Sequence, residues 1–226
     1  MSESRALLLI ADIGGFTKYM TLHGIGAAHA QANIHRLLDA VIDAAPELEL
    51  VEIEGDAAFF ARPEEEGSAA CARAKEAAVA MHRAFHETRH RIVSNLCPCA
   101  GCAQAADLKL KCVAHIGEVS ERTIRNRKSL AGVAVILVHR LLKNAVPVPE
   151  YALLSEELYD GGAVGEARAV DQELEGLGPV RAYFIELGEP PVRALHVGTR
   201  LGETVTTLGR GMPYLLGRNR PQPAAH

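Results

Sequence analysis

The chain has no tryptophan, and aromatics make up only 4% of its 226 residues. With few rings to fill space, a core must be built from Leu, Val, Ile and Ala. The hydrophobic fraction of 48% is enough for a core of good size. Positive charge is not in excess either: 24 Lys and Arg stand against 28 Asp and Glu, for a net charge of -4. That excludes a general basic surface, so no nucleic-acid partner is expected. No apolar run reaches the roughly 20 residues that cross a bilayer. The run Leu7–Ile10 is too short for a signal peptide and no small-residue cleavage site follows it. A cytoplasmic protein without membrane insertion is expected. Cysteine is scarce, at five residues. In that compartment it points away from disulfides and towards core thiols or metal.

What is present is organised around Ala11-Asp12-Ile13-Gly14-Gly15-Phe16-Thr17. The apolar run Ala6–Ile10 before it reads as a buried strand, and helical spacing follows from Thr17 to Ala45. An acid therefore ends a strand, two glycines allow a sharp turn, and a helix begins. A helix start favours anions, and a carboxylate beside it can hold a hard cation. The second stretch is Val51–Phe60, two strand segments around Gly55-Asp56. This hairpin signal places another carboxylate where it can share Mg²⁺ or Mn²⁺ with Asp12.

The segment Cys97-Pro98-Cys99-Ala100-Gly101-Cys102 packs three thiols into a short loop. Thiolates at this spacing can wrap one Zn²⁺. The competing reading is a reduced or redox-reactive loop, and zinc is preferred. A fourth ligand is needed. His86 and His90 are the nearest candidates, on the helix face they share with His82. His23, His29 and His35 read as a solvated face. Cys71 and Cys112 read as ordinary buried thiols. Glu121–Lys128 reads as a basic loop with Arg122, Arg125, Arg127 and Lys128. Residues 190–226 carry five Arg from Arg193 to Arg220 and a single acid after Glu189, Glu203. They read as an appended basic arm, disordered over Pro221–His226.

The order of elements gives an α+β sandwich of the ferredoxin-like kind. The motifs resemble those of class III nucleotidyl cyclases. Asp12-Ile13 with Gly15-Phe16-Thr17, then Gly55-Asp56, look like that family's metal-binding pair. His115-Ile116-Gly117 is similar to its His-x-Gly strand. Gly132 and Arg140 fit its later helix, and Glu175–Phe184 its closing hairpin. The resemblance spans residues 5 to 187. Residues 1–189 are then the cyclase-like domain with a Cys-rich insertion at 91–107, closest to a prokaryotic branch of unknown function.

The resemblance implies a homodimer with a shared site. It implies Mg²⁺ or Mn²⁺ on Asp12, Asp56 and the carbonyl of Ile13. A nucleoside triphosphate would lie against Gly14, Gly15, Phe16 and Thr17. Glu52 would meet the base, in the manner of a guanylate enzyme, and Arg140 would stabilise the transition state. It also exposes departures. The family's transition-state Asn falls on Ile136, its phosphate-contacting Lys on Glu175, and its second base-selecting position near Ser129. The expected function is nucleotide and metal binding in signalling with little or no turnover. The alternative is a slow or altered adenylate or guanylate cyclase. A weaker one is a zinc-stabilised interaction protein with a vestigial site.

Overall fold

The computed structural model describes residues 2–22, 25–64, 67–124 and 127–216. In chain order its elements are β1 (Ser2–Gly14), α1 (Phe16–Met20), α2 (Ile25–Asp43), β2 (Glu49–Glu54), β3 (Ala57–Pro63) and α3 (Gly67–Val93). Then come α4 (Ala100–Ala103), a 3-10 turn (Gln104–Asp107), β4 (Lys109–Ile124), β5 (Arg127–Ala131) and α5 (Val133–Leu141). The last are β6 (Tyr151–Ser155), α6 (Gly161–Val164), β7 (Arg168–Leu174), β8 (Gly178–Glu186) and α7 (Val197–Leu215). The chain divides into two compact units. One is Met1–Gly14, Val41–Ala84 and Lys109–Glu189; the other is Gly15–Ala40, Phe85–Leu108 and Pro190–His226. Among the described residues no helix is long and apolar enough to cross a membrane.

Among the described residues the first unit holds every strand, in one mixed sheet ordered β2-β3-β1-β4-β6-β8-β7 with β5 beside β4. All pairings are antiparallel except β4 with β6. Central β1 carries Leu7, Leu8, Leu9 and Ile10 buried on both faces. This is why its sequence is a continuous apolar run and not an alternating one. One face joins Leu8, Ile10, Phe59, Val113, Leu153 and Phe184 in a core with Ala134, Val138 and Leu141 of α5. Those α5 positions recur at helical spacing, so one stripe is buried while Val133 and Ile136 stay exposed. Aliphatic residues dominate this core, in keeping with the missing tryptophan.

The expected basic loop at Glu121–Lys128 is instead a hairpin. β4 runs on to Ile124 and β5 pairs back on it, Glu121 opposite Leu130 and Thr123 opposite Lys128. Ser120 to Thr123 are all polar, so no apolar period marks this stretch, and the pairing with β5 is what carries the strand on. Arg125 lies outside the described residues.

The second unit is helical. The helical stretch expected from Thr17 onwards is broken: α1 ends at Met20 and α2 begins at Ile25. His23 lies outside the described residues. The expected arm contains a 19-residue helix, α7. Pro221–His226 lies outside the described residues. His35 is exposed as expected, but His29 is fully buried, which removes it from any solvated face.

Candidate functional site

The register of β1 sets the first constellation. Asp12 lies opposite Ala57 on β3 and Lys111 on β4. Asp56 precedes Ala57 in a tight turn where Gly55 has φ 66°, the left-handed region that favours glycine. The Ile13 backbone N–H donates to the Asp56 carbonyl at 3.1 Å. Asp12, Ile13 and Asp56 are therefore brought together. Burial first, and then the charge of Asp12, push the Asp56 carboxyl up to about 6. Lys111 Nζ stands 3.1 Å from Asp12 Oδ2 and donates to the Leu142 carbonyl at 3.2 Å. Burial, with Asp12 nearby, also pushes the Cys112 thiol up to about 12. Cys112 and Cys71 are both buried free thiols, as their sequence context implied.

The remaining cyclase-like positions are more scattered. Gly14 closes β1 opposite Lys109. Gly15, Phe16 and Thr17 open the second unit, with Gly15 at φ 87°. The helix they start has only five residues. So short a helix sums few peptide dipoles, so any anion there would be held mainly by the local N–H groups. Glu52 is exposed on β2, beside a register shift between Leu50 and Glu52. Arg140 does not point free: its Nη1 donates to Glu175 Oε2 at 2.8 Å, and this partner holds the Glu175 carboxyl below its usual range. Ile136 is exposed. His139, Arg140, Lys143, Glu173 and Glu175 line one open groove of the first unit.

The second constellation lies within the second unit. Cys97, Cys99 and Cys102 converge on a histidine, but it is His29, and not His86 or His90. His86 Nδ1 sits instead 3.0 Å from Arg89 Nη2. His29 Nδ1 lies 3.2 Å from Cys99 Sγ, 3.6 Å from Cys97 Sγ and 3.6 Å from Cys102 Sγ. The Asn95 side-chain oxygen accepts from the Cys97 N–H at 2.7 Å. The N–H groups of Cys102 and Ala103 both donate to the Cys99 carbonyl at 3.1 Å. Tyr19 Oη donates to the Gly101 carbonyl, as does Asn33 Nδ2 at 3.1 Å. Gly101 is required here: a Cβ would lie 2.2 Å from the Gly26 carbonyl oxygen of α2. Burial pushes the Cys102 thiol up to about 12 and the Cys99 thiol upward, and pushes His29 down. Sequence reasoning missed His29 and Lys111. Only sheet register marks Lys111, and nothing local marks His29.

The family model described as "Protein of unknown function (DUF2652)" matches residues 34–151. The "Uncharacterized protein Rv2561/Rv2562" of Mycobacterium tuberculosis is 37% identical over 191 residues, 80% of this chain and 88% of that protein. Among solved structures, the adenylyl cyclase CyaB from P. aeruginosa superposes with a TM-score of 0.64 at 17% identity, over 86% of this chain and 98% of that one. The guanylyl cyclase Cya2 gives 0.58 at 20% identity, over 86% and 98%. The guanylate cyclase domain of RhGC from Catenaria anguillulae, solved in complex with GTP, gives 0.57 at 17% identity, over 81% and 97%. The α+β sheet with its Asp12–Asp56 strand ends thus has the fold of class III nucleotidyl cyclase domains, and the chain belongs to the DUF2652 family.

Proposed function

We propose that this chain binds a nucleoside triphosphate or related nucleotide together with Mg²⁺ or Mn²⁺, turns it over little or not at all, and acts in signalling as a homodimer. The observation that carries the reading is the carboxylate pair. Burial raises Asp56 most and the charge of Asp12 raises it further, because two nearby carboxylates repel, and a divalent cation relieves that repulsion. Two carboxylates and the Ile13 carbonyl are the oxygen donors a hard cation prefers. Such an ion, when bound, supplies positive charge to phosphate oxygens. A solved neighbour of the same fold holds GTP, which supports a nucleotide as the ligand class. Gly14, Gly15, Phe16 and Thr17 as phosphate contacts, and Glu52 as a base contact, belong to the same proposal.

Low turnover follows from what this chain's own groups do. Arg140 is engaged by Glu175, a carboxylate that repels phosphate. Ile136 offers no hydrogen bond where a stabilising donor is needed. Removing one electrostatic stabiliser costs about 10²–10³ in rate. A slow or altered cyclase is the second reading. It is favoured by Arg140 near the end of α5 and Lys143 just beyond it, which line the same groove.

Calorimetry with Mn²⁺ and GTP or ATP tests the proposal. The parent protein should bind nucleotide more tightly with metal than without. Asp12→Ala should abolish that difference. Glu175→Lys should free Arg140, strengthen binding and raise any cyclic product. Equal binding by the parent and Asp12→Ala, or no binding by the parent, overturns the proposal.

A further inference from the structure

We propose that His29, Cys97, Cys99 and Cys102 hold one zinc ion that locks the second unit. The argument is geometric. Metal–sulfur bonds of about 2.3 Å and a metal–nitrogen bond of about 2.0 Å, at tetrahedral angles, set nitrogen and sulfur about 3.5 Å apart. The three observed Nδ1–Sγ separations are 3.2, 3.6 and 3.6 Å. All four donor atoms lie within 4.8 Å of one another, which fits a single ion. Soft thiolates with one imidazole in a tetrahedron suit zinc. Four protein donors leave no open position, so the site is structural.

The surroundings are built for this arrangement. His29 is fully buried, and among the described residues its Nε2 has no hydrogen-bond partner, so Nδ1 is its polar working atom. Gly211 of α7 covers the ring edge: a Cβ there would lie 2.5 Å from His29 Cδ2. Tyr19 and Asn33 hold the Gly101 carbonyl, and Asn95 holds the Cys97 N–H, so side chains from outside the thiol loop support its backbone.

Elemental analysis of protein purified without chelator should find one zinc per chain. Cobalt exchange should give the intense visible bands and thiolate-to-metal charge transfer of a tetrahedral sulfur-rich site. His29→Ala should weaken zinc binding by about tenfold or more, by analogy with losses at neighbouring shells. His29→Cys should restore it by supplying a fourth thiolate. A folded, metal-free parent with three freely titrating thiols, whose melting is unchanged by zinc, overturns the proposal. So does iron in place of zinc, or a six-coordinate cobalt spectrum.

A separate observation concerns α7, whose polar stripe faces inward and whose apolar stripe faces out. On the inner stripe Arg200 Nε donates to the Ser94 carbonyl at 2.7 Å. Glu203 pairs with Arg36 at 2.5 Å, and Thr204 Oγ1 accepts from the Leu96 N–H at 2.8 Å. Thr207 and Gly211 are buried beside them. The outer stripe is Leu201, Val205, Leu208, Met212 and Leu215, all exposed, with Val197 before it. Its steps of four and three residues are the spacing of a coiled-coil seam.

We infer that this seam pairs with α7 of a second copy of the chain. Six side chains left about half exposed offer on the order of 600 Å² per copy, close to the ~800 Å² per partner of a standard interface. An anionic membrane suits it less, because such helices flank the apolar face with free basic residues. Here Arg200 is engaged as described, and Arg210 is 4.0 Å from Asp39.

Sedimentation should show a dimer for the parent and a monomer for Leu208→Glu, with zinc content unchanged between them. A parent that is monomeric at about 50 µM, a concentration at which standard-sized specific interfaces are occupied, overturns the inference. So does a Leu208→Glu protein that stays dimeric, or a monomeric parent that sediments with phosphatidylserine vesicles.

Discussion

At Asp12 the strand end already carries a cation, the Lys111 ammonium at 3.1 Å. Any divalent ion must compete with it. The pair is partly exposed, so its attraction is worth about 1 kcal/mol and not the larger value of a buried pair. Lys111→Met should therefore tighten Mn²⁺ binding about fivefold, read by calorimetry at fixed ionic strength. An unchanged or weaker affinity would show that Lys111 does not occupy the cation's place. The two carboxylates were legible in sequence, because strand-end acids next to glycine turns have a local signature. Lys111 was not, since its position opposite Asp12 depends on the register of two strands about a hundred residues apart in the chain. His29 shows the same limit more sharply: it is 68 to 73 residues from the thiols it meets. Proximity along the chain instead suggested His86 and His90, whose helix carries them elsewhere.

Elements were legible where periodicity is strong. The apolar run of β1, the Gly55-Asp56 hairpin and the buried stripe of α5 all follow from pattern and turn chemistry. Two elements were misread for definite reasons. The β4–β5 hairpin was hidden because Ser120 to Thr123 show no apolar period, and the pairing of Glu121 with Leu130 is visible only in the register. α7 was hidden by its glycines at 198, 202, 209 and 211 and by Pro213, all of which weaken helix propensity. Tertiary contacts override that weakness. The ion pair of Glu203 with Arg36 and the fit of Gly211 against His29 hold the helix where propensity alone would not.

For the whole molecule one pH lever is a buried histidine that the proposed site does not use. His115 sits in the first unit with Nδ1 2.8 Å from Ser155 Oγ and 3.6 Å from Glu157 Oε2. Burial pushes its pKa down. Glu157 opposes that and Arg5 adds to it. Below its ordinary value the unfolded chain binds a proton that the folded chain refuses, so stability falls as pH falls through about 6.5. Asp56 acts in the opposite sense: the folded protein keeps its proton up to about 6, so stability is lost as pH rises towards that value. The two are separated by comparing variants at matched pH. His115→Asn should lower the slope of stability against pH between 6.5 and 5 by at most about 1.4 kcal/mol per pH unit. Chemical unfolding at several pH values checks this, and an unchanged slope would mean that His115 is protonated without cost in the folded state.

The sequence by itself determined the fold class, the strand-end carboxylates and the thiol loop. Each is written in local spacing, hydrophobic period or turn residues, which act over a few residues of chain. Only the tertiary structure decided which histidine completes the thiol cluster, that Lys111 sits on Asp12, that Glu175 engages Arg140, and that α7 turns its apolar stripe outward. Those four depend on strand register and helix docking between distant segments. Register and docking are set by burying the whole core at once, and no local pattern carries that information.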